Sequence, residues 1–236
     1  MIVITEPGHR EDLKNILDHH AVRDIPKRGV VHVGADVGQE VEQYLCYGFE
    51  KIVLIDANPR CCETLFAKFG RDSRVKIFNY AVCDRQGILD FHVHTSHSGS
   101  TEPASILPMK RFKEIVRTLR TAETIKIHAT TLDALFEQNG LARRDYNFLN
   151  IDVQGAELMV LHGALSILDF IDAVVSETNL IELYDGGSLE HEIVDFLAVR
   201  GFEKKHAIYH TLYDDKSTFP AWGECLFVKK RELGVA

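Results

Sequence analysis

Cysteine is scarce and carries no metal or disulfide pattern. The five residues are Cys46, Cys61, Cys62, Cys83 and Cys225, and no C-x-x-C pair occurs. An odd count without that spacing excludes a disulfide scaffold and a structural zinc site, and it points to a reducing, cytosolic compartment. No Pro/Gly/Ser-rich linker, internal repeat or low-complexity tract divides the 236 residues. Long apolar runs are also missing. The most apolar stretch, residues 158–171, is interrupted by His162, Gly163, Ser166 and Asp169, so it is too short and too polar to span a bilayer. The start, MIVITEPGHRED, lacks the basic-then-apolar order of a signal peptide. Nor is there an excess of positive charge. With 35 acidic residues against 27 basic ones the net charge is -8, which argues against a nucleic-acid partner. A small anionic group is not excluded, because helix N-termini and backbone amides bind anions locally.

What the chain does have is a rhythm. Val- and Ile-rich runs at 30–33, 52–55, 75–78, 148–151 and 173–176 predict strands buried on both faces of a parallel sheet. Amphipathic stretches at 40–47, 60–69, 132–138, 156–162 and 189–199 predict the helices between them. Alternating strand and helix means an α/β domain with right-handed crossovers, assigned to residues 29–236. Residues 1–28 read as an appendage with one short helix at 11–20. ILDFHVH (88–94) predicts an edge or extra strand. SHSGSTEPASILP (96–108) predicts a long polar loop, either a lid or a surface excursion. Residues 202–209 and 225–228 predict a closing hairpin that puts an antiparallel edge on the sheet.

The first strand runs into VVHVGADVGQE (30–40) and then a helix. Glycines at such a turn let backbone approach a ligand, and the helix N-terminus offers free N–H groups. The G-A-D-V-G spacing departs from the dinucleotide G-x-G-x-x-G, and the Walker lysine is absent. Asp36 inside the loop would repel a pyrophosphate, yet it would tolerate a zwitterionic sulfonium such as S-adenosylmethionine. The second strand ends in LIDANP, where Asp56 lies 22 residues after Gly34. A carboxylate at that separation suits two ribose hydroxyls. The bland alternative is a cap on the following helix, a role Asn58 could fill instead.

Together VVHVGADVGQ, LIDANP, NYAVCDRQG and FLNIDVQGAELMVLHGA resemble the FkbM family of S-adenosylmethionine-dependent methyltransferases, over residues 29–230. The resemblance implies a class I methyltransferase, Rossmann-like fold with a mostly parallel seven-stranded sheet and helices on both faces. It implies that Gly34, Ala35, Asp36 and Gly38 hold the methionine end of the cofactor. Asp56 would hold the ribose, with Ala57, Asn58, Ala81 and Val82 around the adenine. It also implies O-methylation of a sugar or other natural product. Two positions depart from the pattern. His32 stands where such enzymes commonly place an acid, and Gln154 stands where the family often has Glu.

In-line methyl transfer needs a held nucleophile and, for a hydroxyl, a base or metal that lowers its pKa. Strand tips should supply these groups. Asp152 at the fourth tip and Glu177 at the fifth are the expected catalytic acids, with His97 of the polar loop a candidate base. Asp152 is also expected at the cofactor. Asp152, Glu177 and Asn179 could chelate a divalent ion, but two carboxylates and one amide are a thin set, so a metal is not favoured. Glu157 is expected to serve the helix dipole. Tyr184 and Trp222 offer aromatic surface near the mouth, Trp222 equally as core packing. The expected activity is methylation of a small-molecule or glycan hydroxyl. An N- or carboxyl-methyltransferase and a non-catalytic cofactor-binding module stay open as alternatives.

Overall fold

A computed structural model describes residues 9–95, 101–115, 120–213 and 218–230. In chain order the elements are α1 (His9–Leu17), β1 (Gly29–Val33), α2 (Val41–Cys46), β2 (Lys51–Asp56), α3 (Pro59–Phe69), β3 (Val75–Asn79), β4 (Ala81–Val82), β5 (Gly87–Thr95), β6 (Thr101–Ser105), α4 (Arg111–Ile115), β7 (Arg120–Thr130), α5 (Leu132–Gln138), β8 (Phe148–Ile151), α6 (Glu157–His162), β9 (Ala173–Asn179), α7 (Glu190–Ala198), β10 (Phe202–Tyr213) and β11 (Thr218–Lys229).

Seven strands form one sheet in the order β10-β11-β9-β8-β1-β2-β3. Neighbours from β9 to β3 pair in parallel, and β11 runs antiparallel to both β9 and β10. The expected C-terminal hairpin is therefore present, with its antiparallel strand one in from the edge. Alternation explains why the central runs are apolar throughout. Val31 and Val33 of β1, with Val53 and Ile55 of β2, face a core formed with α5, α6 and α7. Val30, Ile52 and Leu54 face the opposite core, formed with α1, α2 and α3. Both faces are buried, and each Val, Leu or Ile so covered contributes about 1.5–3 kcal/mol. The N-terminal helix belongs to the second core: Leu13, Ile16 and Leu17 of α1 pack with Phe49, Phe148 and Leu226.

The small sheet, in the order β4-β7-β5-β6, is larger than the sequence suggested. The 88–94 stretch lies inside it as β5, between β7 and β6. Residues 101–105 of the expected loop form β6, which pairs antiparallel to β5. Backbone pairing with β5 takes precedence over the polar composition of that segment. Residues 96–100, His97 included, lie outside the described residues. Phe91 and Val93 of β5 pack with Ile127 and Ala129 of β7 and with Met159 of α6. That contact docks the small sheet above the strand tips.

The motif glycine after α6 has a steric reason. A Cβ on Gly163 would sit 2.1 Å from the Cys83 carbonyl oxygen. Gly163→Ala is expected to lower stability by about 1–3 kcal/mol in urea unfolding, because backbone, not a flexible side chain, must move. An unchanged midpoint would show that the contact relaxes freely.

Candidate functional site

The turn after β1 is held to its neighbours by main-chain bonds. Gly34 and Ala35 donate N–H groups to the Ile55 carbonyl at 2.8 and 3.1 Å, and Asp152 donates its N–H to the Val33 carbonyl at 2.9 Å. Gly34 has φ +86°, and a Cβ there would fall 1.7 Å from the Asp152 carbonyl oxygen. Only glycine fits this contact. Asp36 follows at φ +44°, a left-handed conformation that Asp tolerates better than most residues. Its carboxylate accepts from Gln39 Nε2 at 2.7 Å and Cys61 Sγ at 3.1 Å.

Asp56, at the β2 tip, gathers the loop. Its Oδ2 accepts the Asp36 N–H at 2.8 Å and its Oδ1 accepts the Asn58 N–H at 2.7 Å. Asn58, not Asp56, caps α3, accepting the Arg60 N–H. Asp56 is thus left to face a cavity of about 350 Å³. Burial pushes its carboxyl up to about 7, and the Asp36 and Asp152 carboxylates add to this against the two backbone N–H groups.

One end of the cavity is apolar: Ala57, Ala81 and Val82 meet Phe91, Val93 and Ile106 from the small-sheet region. The other end is polar, with Gly34, Asp36, Glu40, Asp152 and Gln154. The structure therefore brings Gly34, Asp36, Asp56, Ala57, Asn58, Ala81, Val82 and Asp152 to one wall. Ala35 is turned into the core, and Gly38 packs against Leu65 and Phe69 of α3. Tyr80 and the β5 side chains also line the cavity and were not singled out from the sequence.

Behind Asp152 lies a group of acids. Glu177 of β9 is directly paired in register with Glu224 of β11, and one carboxylate oxygen each of Asp152, Glu177 and Glu224 lies within 4.8 Å of the others. Glu177 sits within β9, two residues before its end, and is buried. Gln154 Nε2 donates to Asp152 Oδ1 at 2.7 Å and to Glu177 Oε2 at 3.0 Å, while its Oε1 accepts the Tyr184 hydroxyl at 2.7 Å. A neutral amide therefore bridges the two acids expected at the strand tips. Asn179 stands two residues farther along β9, opposite Trp222, and Glu224 joins the acids. Burial and the Asp152 carboxylate hold Glu177 and Glu224 well above the usual carboxylate range.

Three other expected residues have definite places. Glu157 is fully buried and accepts the Gly155 and Val153 N–H groups at 2.9 and 3.2 Å, so it secures the turn after β8 and does not line the cavity. His32 is buried beside Tyr44, whose oxygen accepts from Asn150 Nδ2 and lies 3.3 Å from His32 Nδ1. Trp222 stacks on His210 with ring centroids 5.5 Å apart.

The Asp56 geometry has a pH signature. In the unfolded chain this carboxyl ionises near 3.8, whereas the folded form keeps its proton to about 7. Its stabilising contribution is complete below about pH 4 and is lost as pH rises through about 7. The urea midpoint of the ligand-free protein is expected to fall across that window, and Asp56→Asn to flatten the fall. An unaltered slope in the variant would place the titration elsewhere.

Residues 32–204 match the Methyltransferase FkbM domain. Over 197 residues, 80% of each chain, the protein is 25% identical to the 2-O-methyltransferase NoeI of Sinorhizobium fredii. A crystal structure from Listeria monocytogenes, assigned as an S-adenosylmethionine dependent methyltransferase, superposes with a TM-score of 0.55 at 11% identity, covering 94% of this chain and 97% of that one. The family match takes in more than half of the chain and includes the β1, β2 and β8 tips that build the cavity, so the protein belongs to the FkbM family of S-adenosylmethionine-dependent methyltransferases.

Proposed function

We propose that the protein methylates a hydroxyl of a sugar, glycosylated metabolite or other natural product. The observation that carries this reading is the pairing of a cofactor-sized cavity with a carboxylate, Asp152, on its polar wall. Support also comes from the relative NoeI, which is named as a 2-O-methyltransferase.

The residues present fit S-adenosylmethionine. Each Asp56 oxygen accepts one main-chain N–H and keeps a further lone pair for a ribose hydroxyl. Ala57, Ala81 and Val82 offer flat apolar surface for the adenine, and Gly34, Asp36 and Asp152 form the end suited to the charged methionine portion. A volume of about 350 Å³ lies within the range of small-molecule sites, about 300–1,000 Å³. When bound, this cofactor supplies an electrophilic methyl group on positive sulfur. The chain's part is to fix the acceptor in line and to take its proton. Asp152 lines the cavity and is the proposed base. Glu177, behind it and tied to it through Gln154, is the proposed positioning acid. A divalent ion is not part of this reading, because Gln154 Nε2 already bridges Asp152 and Glu177. The acid-lined end of the cavity also disfavours a nucleic-acid acceptor, whose phosphates it would repel.

Two measurements test the reading. In isothermal titration, Asp56→Ala is expected to weaken S-adenosylmethionine binding about tenfold to a hundredfold, through loss of charge-assisted ribose bonds. Unchanged affinity would remove the ribose assignment. With methyl-labelled cofactor, label is expected to move to at least one member of a panel of hydroxylated sugars and glycosides. Transfer found only to amines or carboxylates would reject the hydroxyl acceptor.

A further inference from the structure

Methyl transfer to a hydroxyl removes a positive charge from sulfur and leaves a proton to be placed. Among the described residues no lysine or arginine lines the cavity in which this happens. Behind Asp152, which lines it, the protein is acidic from several directions. Asp152 follows β8, Glu177 comes from β9, and Glu224 from β11. Glu40, at the start of α2, and Asp12 of α1 act on Glu224 from the α1 side, and Glu157 acts on it from α6. Two histidines stand nearby among the described residues: His32 of β1, beside Tyr44, and His210 of β10, 3.2 Å from Asp12. Tyr184 meets the cluster only through Gln154. A second cavity of about 20 Å³ is lined by His32, Glu40, Asn150, Asp152 and Glu224. That is room for one water, with several polar partners around it. A proton on Asp152 thus has a short path to Glu177 or Glu224.

Three carboxylates at this spacing, with Glu177 and Glu224 buried and Asp152 partly so, do not all ionise without a compensating cation. Resting on the cofactor and hydroxyl-acceptor reading above, we propose that the Asp152–Glu177–Glu224 cluster exchanges protons for cofactor charge. Binding of the sulfonium form drives a proton out of the cluster, and methyl transfer returns one from the acceptor. In that step the acceptor O–H bond breaks and an O–CH₃ bond forms. The S–CH₃ bond breaks with its electron pair left on sulfur, and the acceptor proton goes to a cluster carboxylate. A sulfonium and a carboxylate become a thioether and a carboxylic acid, so the buried site keeps its net charge through the reaction. Glu224 enters the chemistry as a proton store without touching substrate.

The test uses the full chain and two pure compounds. S-adenosylmethionine and S-adenosylhomocysteine are titrated calorimetrically near pH 7 in phosphate and in Tris, whose different ionisation heats report the protons exchanged. Both compounds carry the same ribose, adenine and amino-acid groups. Both titrations are repeated in Asp56→Asn, so that proton exchange at Asp56, itself near the sulfonium, does not contribute to the difference. The sulfonium form is expected to release more protons, by about half to one per site. Glu224→Gln is expected to shrink that difference. Equal proton counts for the two compounds in the unmodified chain overturn the proposal, whether or not the variant folds. A difference that appears only after magnesium is added, or disappears with EDTA, overturns it in favour of a metal counter-charge. Absence of binding by both compounds overturns the cofactor reading itself, and the proposal with it.

Discussion

The carboxylate of Asp56 holds main-chain N–H groups from both sides of the cavity, one from the turn after β1 and one from the start of α3. The site's construction depends on that clasp. It presents Asp36 to the cavity in a left-handed conformation and leaves α3 to be capped by Asn58. The β1 turn is fixed on its other flank by the close approach of Gly34 to the Asp152 carbonyl. Three strand tips are therefore set in register by main-chain contacts, before any ligand is present. A site organised this way spends little binding energy on ordering itself.

The fit between chain and architecture was best where both faces of an element are buried. The β1, β2 and β8 runs are rich in Val, Ile and Leu because most of their side chains meet a core, His32 and Asn150 being the polar exceptions, and such runs are readable without structure. The glycine loop and Asp56 were readable for a different reason, since a turn that must approach a ligand restricts residue type and spacing at once. The small sheet was less visible. β7 is largely exposed, and only Ile125, Ile127 and Ala129 alternate along RTAETIKIHAT, a weak period-two signal available in hindsight. β6 takes its strand character from pairing with β5, which local composition does not report.

Glu224 was invisible for a further reason. It is a single acid inside the apolar run AWGECLF, and its meaning comes from standing opposite Glu177 across a hairpin strand. Asn179, two residues from Glu177 on the same strand, was readable as a companion to it, because separation along one strand is easier to read than register between two. His32 shows the converse. Its position in the first motif suggested a lost ligand contact, and the structure gives it a bond to Tyr44 of α2 as well as a place on the cavity wall.

The small sheet joins the rest through a short parallel pairing, Ala81 with Ala129 and Val82 with Thr130, and the Cys83 N–H bonds the Thr130 carbonyl at 2.9 Å. The chain leaves and re-enters the main domain at adjacent points. Of the described residues between them, Phe91, Val93, Ala104 and Ile106 roof the apolar end of the cavity, while Gly34, Asp56 and Asp152 lie outside the excursion. Segments whose ends lie together are those most readily exchanged between proteins. Recutting this roof would change the apolar end directly and would reach the acids through Ser105 Oγ, which donates to the Gln154 carbonyl at 2.8 Å.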